Sequence, residues 1–419
     1  MNSKERFRTT LAHGIPDKIV IDFGSTPVTG IHVLAIKKIR DYYGLKDIPV
    51  KVTEPYQMLG ELDAELMDLL GVDIIGLGAR NNIFGFENDN WKEFRAWWGQ
   101  DLLVPEKFNT RIDENGDLLL FPEGDDQVPA SAKMPSSGYF FDSIIRQEAF
   151  NEETLKAEDN LEEFKPVTED DLAWWAEKMK QVRSSNKGIV ANFGGTALGD
   201  IALVPAPFLK NPKGIRDIEE WYMSSLIRPD FMKEVFERQT DIAVENLKKF
   251  FQVVGNDIEV IYMCGNDFGT QQSTFCDLAT FRDLYLPYYK KMNDWIHDHT
   301  EWKTFKHSCG AVEPLIEGFI EAGFDILNPV QINAAHMDPE MLKEKYGDRI
   351  VFWGGGVDTQ KVLSFGTPED VKEQVTRLCK TFSRQGGFVF NTIHNIQANV
   401  PVENLVAMFE TLKRINGTG

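Results

Sequence analysis

The chain has 419 residues, 42% of them hydrophobic and 26% charged, with a formal net charge of −20. This charge disfavours nucleic acid and anionic membrane surfaces as partners, because both bind basic faces. The polar, basic N-terminal residues and the lack of a long apolar run predict neither a signal peptide nor a membrane span. Four scattered cysteines fit a reducing compartment. We therefore expect a globular, cytoplasmic protein whose partners are small molecules or other proteins.

The chain opens with a helical pattern at 2–13. An apolar run at 18–23 follows and predicts a buried strand. Helical spacing then recurs at 31–43 and at 56–70, where it stops at a glycine. A second strand is predicted at 72–77.

The alternation is interrupted at about 80–142. Tryptophans and an Asn115-Gly116 turn between alternating residues predict a small antiparallel β meander, which we interpret as an insertion and a candidate lid. An acidic helical stretch follows at roughly 143–186. Its runs Glu152-Glu153 and Glu169-Asp170-Asp171 are interpreted as a solvated face rather than as catalytic carboxylates.

From Gly188 onward the pattern becomes regular. Further strands are predicted at 188–193, 257–264, 302–307, 324–328, 349–353 and 387–391. Further helices are predicted at 215–253, 278–299, 311–322, 338–346, 368–384 and 402–414. Eight strand-then-helix units indicate an α/β fold, a (β/α)8 TIM barrel, as a single domain over 1–419 with the inserted meander.

Polar residues or glycines stand at nearly every predicted strand end. In a barrel the carboxyl ends meet at one mouth, whereas in an open sheet only the ends at the switch point matter. The side chains expected at this mouth include Asp22, Asp73, Asn192, Asn266, Asp267, His307, Cys309, Asn328, Asn391 and His394. The first strand is not followed by a Gly-x-Gly-x-x-Gly fingerprint, so dinucleotide binding has little support. The triple glycine at 354–356 is compatible with phosphate binding or with close backbone approach.

The stretch Lys306-His307-Ser308-Cys309-Gly310-Ala311 concentrates reactive side chains between a predicted strand and a helix. His307 and Cys309 are ligands that zinc accepts, so this pair is a candidate metal site. The alternative is a buried free cysteine beside a hydrogen-bonded histidine. After the fourth strand, Asn266, Asp267 and Gln271 are candidates for substrate contact, and Asp267 is alternatively a helix cap.

Several segments carry a family resemblance: His307-Ser308-Cys309-Gly310, Gly323-Phe324-Asp325-Ile326-Leu327-Asn328-Pro329, Trp353-Gly354-Gly355-Gly356-Val357-Asp358 and Pro401-Val402-Glu403-Asn404-Leu405. Together they resemble the uroporphyrinogen decarboxylase superfamily. With the segment at 265–271, they look like its branch of corrinoid-dependent methyltransferases. The resemblance is strong over about 255–414, and it implies a (β/α)8 fold.

The resemblance separates two activities. Decarboxylases of the family engage their many-carboxylate substrate with an Arg-Gln-Ala-Gly-Arg-Tyr segment, whereas the corresponding region here, 24–30, has no arginine. Thiol-methylating members of the other branch bind zinc through His-x-Cys and a later cysteine. His307 and Cys309 match the first two ligands, and His394 stands where the third is cysteine. A His2Cys zinc site is chemically competent, but this departure leaves room for an enzyme that demethylates a small substrate and loads a corrinoid protein. His394 is alternatively a rim histidine that orients substrate.

The resemblance thus implies a methyltransferase that transfers a methyl group between a small molecule and a corrinoid (cobalamin) protein. Zinc held by His307, Cys309 and His394 would act as a Lewis acid. The expected catalytic residues are Asp267 and Asn266, and the expected substrate contacts are Gln271, Asn192, Asn328 and Asn391. One alternative is a decarboxylase or lyase that acts on a small carboxylate through Asp73 without a metal. Another is a binding protein that keeps the mouth without turnover.

Overall fold

A barrel of eight parallel strands forms the centre of the protein. The computed structural model describes residues 1–161 and 164–418, and only the backbone of Cys264. The barrel strands are Val20–Ile21, Ile74–Leu77, Gly188–Ala191, Val260–Cys264, Lys303–His307, Ile326–Asn328, Val351–Trp353 and Phe388–Phe390. From the second to the eighth, strands that are consecutive in the chain are neighbours in space, and the eighth pairs with the first. The eight predicted strands and the (β/α)8 fold are confirmed.

The ring is closed between the first and second strands by Asp73. Its backbone N–H donates to the Ile21 carbonyl at 2.9 Å, and its Oδ2 accepts from the Ile21 N–H at 3.0 Å. Asp73 directly precedes the strand Ile74–Leu77 and therefore lies at the amino end of the barrel. This corrects the prediction that Asp73 stands at a carboxyl end.

The helices pack around the barrel through their apolar faces. They are Ser3–Leu11, Val33–Tyr42, Ala64–Leu70, Glu169–Val182, Ile218–Ile227, Pro229–Val254, Leu278–Leu284, Leu286–His299, Glu313–Glu321, Pro339–Tyr346, Val362–Phe365, Pro368–Phe382 and Val402–Ile415. Two predicted helices are shorter than expected, because 56–63 is a turn and strand and because much of 143–168 is irregular. Among the described residues, every helix is either too short or too polar to span a bilayer.

The residues of the predicted meander contribute strands to two four-stranded sheets. One contains Thr110–Ile112, Leu118–Leu120, Ala132–Met134 and Asp142–Ser143 in antiparallel order. The other contains Val50–Glu54, Leu59–Gly60, Lys92–Arg95 and Asp101–Val104. Because Val50–Glu54 pairs in parallel with Asp101–Val104, the inserted residues share a sheet with a segment that precedes them.

The N-terminal helix closes the amino end of the barrel. Phe7 is fully buried and meets the Trp353 ring edge-on, with the ring centroids 5.6 Å apart. A Cβ on Gly188 would lie 2.2 Å from the Phe7 ring, so the strand needs glycine there. With this end closed by packed aromatic rings, the opposite mouth is the end that can receive a ligand.

Candidate metal centre

Three side chains that can bind a metal meet at the mouth. His307 is the last residue of the fifth strand, Cys309 follows two residues later, and His394 lies in the loop after the eighth strand. Their donor atoms all lie within 4.8 Å of one another. The Cys309 Sγ is 3.4 Å from the His307 Nε2, and the two imidazole rings meet edge-on. Because 85 positions separate Cys309 from His394, their proximity was predicted from the barrel mouth and the family resemblance rather than from local spacing.

The loop that carries Cys309 is held by a close approach of two backbones. Gly310 has φ +92°, and a Cβ at this position would lie 2.3 Å from the Gly269 carbonyl carbon. The Ala311 N–H donates to the Thr270 carbonyl at 2.8 Å. Only glycine satisfies both demands, so the His-x-Cys-Gly spacing fixes the thiol beside the imidazole.

Asn328 orients the His307 ring. The Asn328 Nδ2 donates to the Trp353 carbonyl at 3.0 Å, which turns its Oδ1 toward the His307 Nδ1 at 2.6 Å. A carbonyl oxygen cannot donate, so the His307 Nδ1 carries the proton. The Nε2 of His307 is therefore the acceptor, and it faces Cys309 and His394.

This donor set fits zinc. In a tetrahedral site, with Zn–N of about 2.0 Å and Zn–S of about 2.3 Å, donor atoms lie roughly 3.3–3.6 Å apart. The observed Nε2–Sγ separation of 3.4 Å meets this requirement, and a ring nitrogen of His394 lies within 4.8 Å of both other donors. Three protein ligands leave a fourth position for another ligand, which is typical of catalytic rather than structural zinc.

Burial sets the protonation of the ligands. It lowers the pKa of His307 to about 3, opposed by the hydrogen bond to Asn328. Burial likewise lowers the pKa of His394 to about 4, helped by His307 and opposed by Asp267. Burial raises the pKa of the Cys309 thiol well above its usual range, and the nearby Asp267 charge adds to this. Both imidazoles are thus neutral and ready to bind a metal at neutral pH, whereas the thiol must release a proton.

A network of buried ionisable side chains contacts the three ligand residues. The Asp267 Oδ1 accepts the Cys309 N–H at 2.7 Å and lies 3.7 Å from the His307 Nε2. Burial raises the pKa of Asp267, and burial raises that of Asp200 to about 6 with a further contribution from Asp267. Lys306 is fully buried and donates to the carbonyls of Asn266 and His307 at 2.5 and 2.6 Å. Its ammonium lies 5.0 Å from the Phe268 ring centroid.

A cavity of about 280 Å³ opens beside the ligands. It is lined by residues 269–271, 309–310, 331, 359–360 and 393–394. Gln331 accepts the Gly310 N–H at 2.7 Å through its Oε1 and donates to the Gln271 Oε1 at 3.0 Å. Cys309 and His394 thus face a small chamber whose polar groups are mainly uncharged amides.

The structure separates the other predicted site residues. Gln271 lines the cavity and Asp267 lies beside the ligands. Four asparagines lie outside the cavity lining: Asn192, Asn266, Asn328 and Asn391. Of these, Asn266 is buried and donates to the Leu198 carbonyl, and Asn391 is buried and donates to the Asp22 carbonyl. The amides of Asn266 and Asn391 thus satisfy backbone carbonyls. Substrate contact by the strand-end asparagines stays a prediction.

Sequence reasoning missed Asp200, Lys306, Gln331 and Gln360. Asp200 lies in an irregular loop, where no periodicity marks it. Lys306 carried one available signal, because a lysine inside a predicted buried strand must have buried partners. Gln331 and Gln360 lie in the loops after the sixth and seventh strands. The conformations of these loops, which the sequence does not reveal, bring both side chains to the mouth.

Comparisons with known proteins agree with this architecture. A family model described as uroporphyrinogen decarboxylase (URO-D) matches residues 149–415, more than half of the chain. A curated uroporphyrinogen decarboxylase from Psychromonas ingrahamii is 32% identical over 68 residues, which cover 16% of this chain and 18% of that protein. The chain therefore spans less than a fifth of that relative. A solved structure of a methyltransferase from Methanosarcina mazei is 13% identical, with a TM-score of 0.53 and 99% of each chain covered, and this likeness concerns the fold.

Proposed function

Because the chain belongs to the uroporphyrinogen decarboxylase family, we propose that it is a methyltransferase that transfers a methyl group between a small molecule and a corrinoid carried by a partner protein. The observation that carries this proposal is the convergence of His307, Cys309 and His394 at the barrel mouth. The likeness in fold to a methyltransferase is in keeping with it. The family resemblance inferred from the sequence segments is confirmed at the level of the superfamily.

The chain's own residues prepare this site for a heteroatom that gains or loses a methyl group. A zinc ion held by His307, Cys309 and His394 would supply Lewis acidity at its fourth position. Asn328 fixes the His307 tautomer, and Asp267 holds the Cys309 backbone N–H. Gln271 and its hydrogen-bonded neighbour Gln331 form the wall against which the small molecule lies.

The alternative, a metal-free decarboxylase that uses Asp73, loses its catalytic group. Asp73 lies at the amino end of the barrel, where it pairs with Arg6 at 2.6 Å and accepts from Ser3 Oγ at 2.5 Å. The catalytic residues of barrels of this kind lie at the opposite, carboxyl end. Asp73 is therefore assigned to closing the barrel rather than to a reaction.

Metal loading tests the site first. We expect chelator-treated protein reloaded with zinc to retain about one ion per chain. His394→Ala should lose most of this zinc while it keeps its fold, as judged by circular dichroism. His299→Ala is the matched control, since this exposed histidine lies at the end of the helix Leu286–His299. Zinc stoichiometry near zero in the reloaded wild type would contradict the proposal.

Methyl exchange with free cobalamin tests the reaction. The visible spectrum distinguishes cob(I)alamin from methylcobalamin, so transfer in either direction is followed directly. We expect Cys309→Ser to abolish exchange and Cys276→Ser to retain it, because Cys276 lies outside the described metal cluster. A wild-type protein that binds zinc but exchanges no methyl group with any methyl ether, thioether, amine or thiol would refute the assigned reaction.

A further inference from the structure

The cavity beside the metal ligands is built from uncharged polar groups. Its lining contains neither lysine nor arginine among the described residues, and Lys361, which follows Gln360, is not part of it. In the metal-free protein, a sulfonate, phosphate or carboxylate on the bound molecule would thus have no lysine or arginine of this lining to pair with.

The amides of the cavity have fixed orientations. The Asn333 Nδ2 donates to the Asp358 carboxylate at 3.0 Å and also to the Gln360 Oε1 at 3.0 Å. Because a carboxylate accepts only, Nδ2 of Asn333 is identified, and the Gln360 oxygen must face it. The Gln360 Nε2, which donates to no partner within the described part of the chain, is left as a donor on the cavity wall.

A second pair of amides is ordered in the same way. The Gly310 N–H donates to the Gln331 Oε1, so the Gln331 Nε2 donates onward to the Gln271 Oε1 at 3.0 Å. The Gln271 Nε2 in turn donates to the Asn333 carbonyl at 2.6 Å. Each amide keeps one N–H or one lone pair beyond these bonds, which suits hydroxyl, ether and amide groups.

The lysine nearest the metal ligands is not open to the cavity. Lys306 is fully buried, is not part of the cavity lining, and packs on aromatic rings while it donates to two carbonyls. An anion in the metal-free cavity therefore gains no ion pair from this lysine.

From these contacts we propose that the methyl donor or acceptor of this site is a small uncharged molecule with a hydrogen-bonding oxygen or amide beyond its methyl-exchanging heteroatom. This inference rests on the proposed function for the reaction, but the charge selectivity of the cavity is a property of the protein alone. Gln271, Gln331 and Gln360 would bind the polar group, while the heteroatom lies toward Cys309 and His394.

Alkylation of Cys309 in metal-free protein tests this charge selectivity. Iodoacetamide and iodoacetate have almost the same size and differ in charge. Rate constants at Cys309 are measured by peptide mass spectrometry at one pH, and their ratio is compared with the ratio for 2-mercaptoethanol. We expect iodoacetate to be disfavoured at Cys309 by about tenfold relative to this reference thiol. The fraction of thiolate cancels in the ratio.

A matched pair of variants separates the cavity wall from general charge. Gln271→Lys places an ammonium group at the cavity, so it should bring the ratio close to that of the reference thiol. Gln272→Lys adds the same charge at the next exposed position, outside the lining, and should leave the ratio near that of the wild type. If Gln271→Lys disturbs the fold, Gln360→Lys replaces it.

Several outcomes would overturn the inference. A wild-type ratio equal to or below the reference, or failure of iodoacetamide to reach Cys309 at all, would show that the cavity does not favour small neutral molecules. Equal effects of Gln271→Lys and Gln272→Lys would show that the amide wall does not decide the selectivity. Since these measurements use neither zinc nor cobalamin, failure of the proposed methyl transfer remains a separate result.

Discussion

At the scale of single residues, Asn328 decides how His307 presents its nitrogen. We expect Asn328→Ala to weaken zinc binding by about 10- to 100-fold, because the ring loses the acceptor that fixes its tautomer. Asn328→Asp keeps an acceptor at the same place and should recover most of the affinity. Competition with a chromophoric chelator measures both variants. Equal zinc affinity in wild type, Asn328→Ala and Asn328→Asp would show that Asn328 only satisfies the Trp353 carbonyl.

The Cys309 thiol should dominate the pH dependence of metal binding. With pKa values lowered to about 3 and 4, His307 and His394 are already deprotonated above pH ~5. Burial raises the pKa of Cys309, so zinc must displace its proton near neutral pH. Affinity should therefore rise by about tenfold per pH unit as pH increases, with about one proton released per ion. Titration in weakly buffered solution measures this release, and a pH-independent affinity would contradict it.

The residues of the site were visible in the sequence to different degrees. His307 and Cys309 are separated by one position after a strand, so their proximity follows from the local chain. His394 joins them because the barrel brings the ends of the fifth and eighth strands to one mouth, which only the fold determines. Of the cavity amides, Gln271 was predicted from the sequence, whereas Gln331 and Gln360 were not, since they reach the cavity through loop conformations that leave no periodic pattern.

At the scale of elements, Asp73 joins the two strands at which the barrel closes. Its side chain and that of Arg6 are 7% and 9% exposed, and the pair lies 2.6 Å apart. We expect Asp73→Asn to lower the free energy of unfolding by about 3–5 kcal/mol, because Arg6 would lose the buried one of its two carboxylate partners. Urea denaturation measures this loss.

Asp17→Asn is the control for the same arginine. Asp17 also pairs with Arg6 but is 37% exposed, so its loss should cost less than about 1 kcal/mol. Methyl exchange by folded Asp73→Asn protein should stay near the wild-type rate. A folded Asp73→Asn protein without activity would instead favour a catalytic Asp73.

The elements most clearly predicted were the buried strands. Apolar runs such as 349–353 end at polar residues or glycine, and this pattern is typical of barrel strands that are buried on both sides. The prediction was wrong where a helical pattern was short and the true strand-pairing partners lie far away in the sequence. Residues 56–63 gave a helical pattern, yet Leu59–Gly60 pairs with Val50–Glu54, which in turn needs Asp101–Val104 from the insertion.

At the scale of the whole molecule, the insertion and the barrel are joined by buried contacts. The Gln100 side chain, from the insertion, donates to the Val33 carbonyl at 3.0 Å. His32 accepts the Leu34 N–H at Nδ1, so its Nε2 donates to the Tyr139 carbonyl at 2.8 Å. A single cluster of buried apolar side chains runs from the insertion into the barrel layer. If the chain is one domain over 1–419, as the sequence predicts, these contacts should make the insertion and the barrel unfold together.

We expect a core change in the insertion to destabilise the barrel as well. Phe108 is 2% exposed and packs between Phe94 and Phe141, with ring centroids 5.4 and 6.0 Å away. Phe108→Ala should lower the free energy of unfolding by about 3–5 kcal/mol. The helical circular dichroism signal, which comes from the barrel, should shift to lower urea concentration by the corresponding amount. Phe140→Ala, at a position 44% exposed, should leave the transition almost unchanged. If the insertion unfolds as an independent unit, the helical transition of Phe108→Ala will instead coincide with that of the wild type.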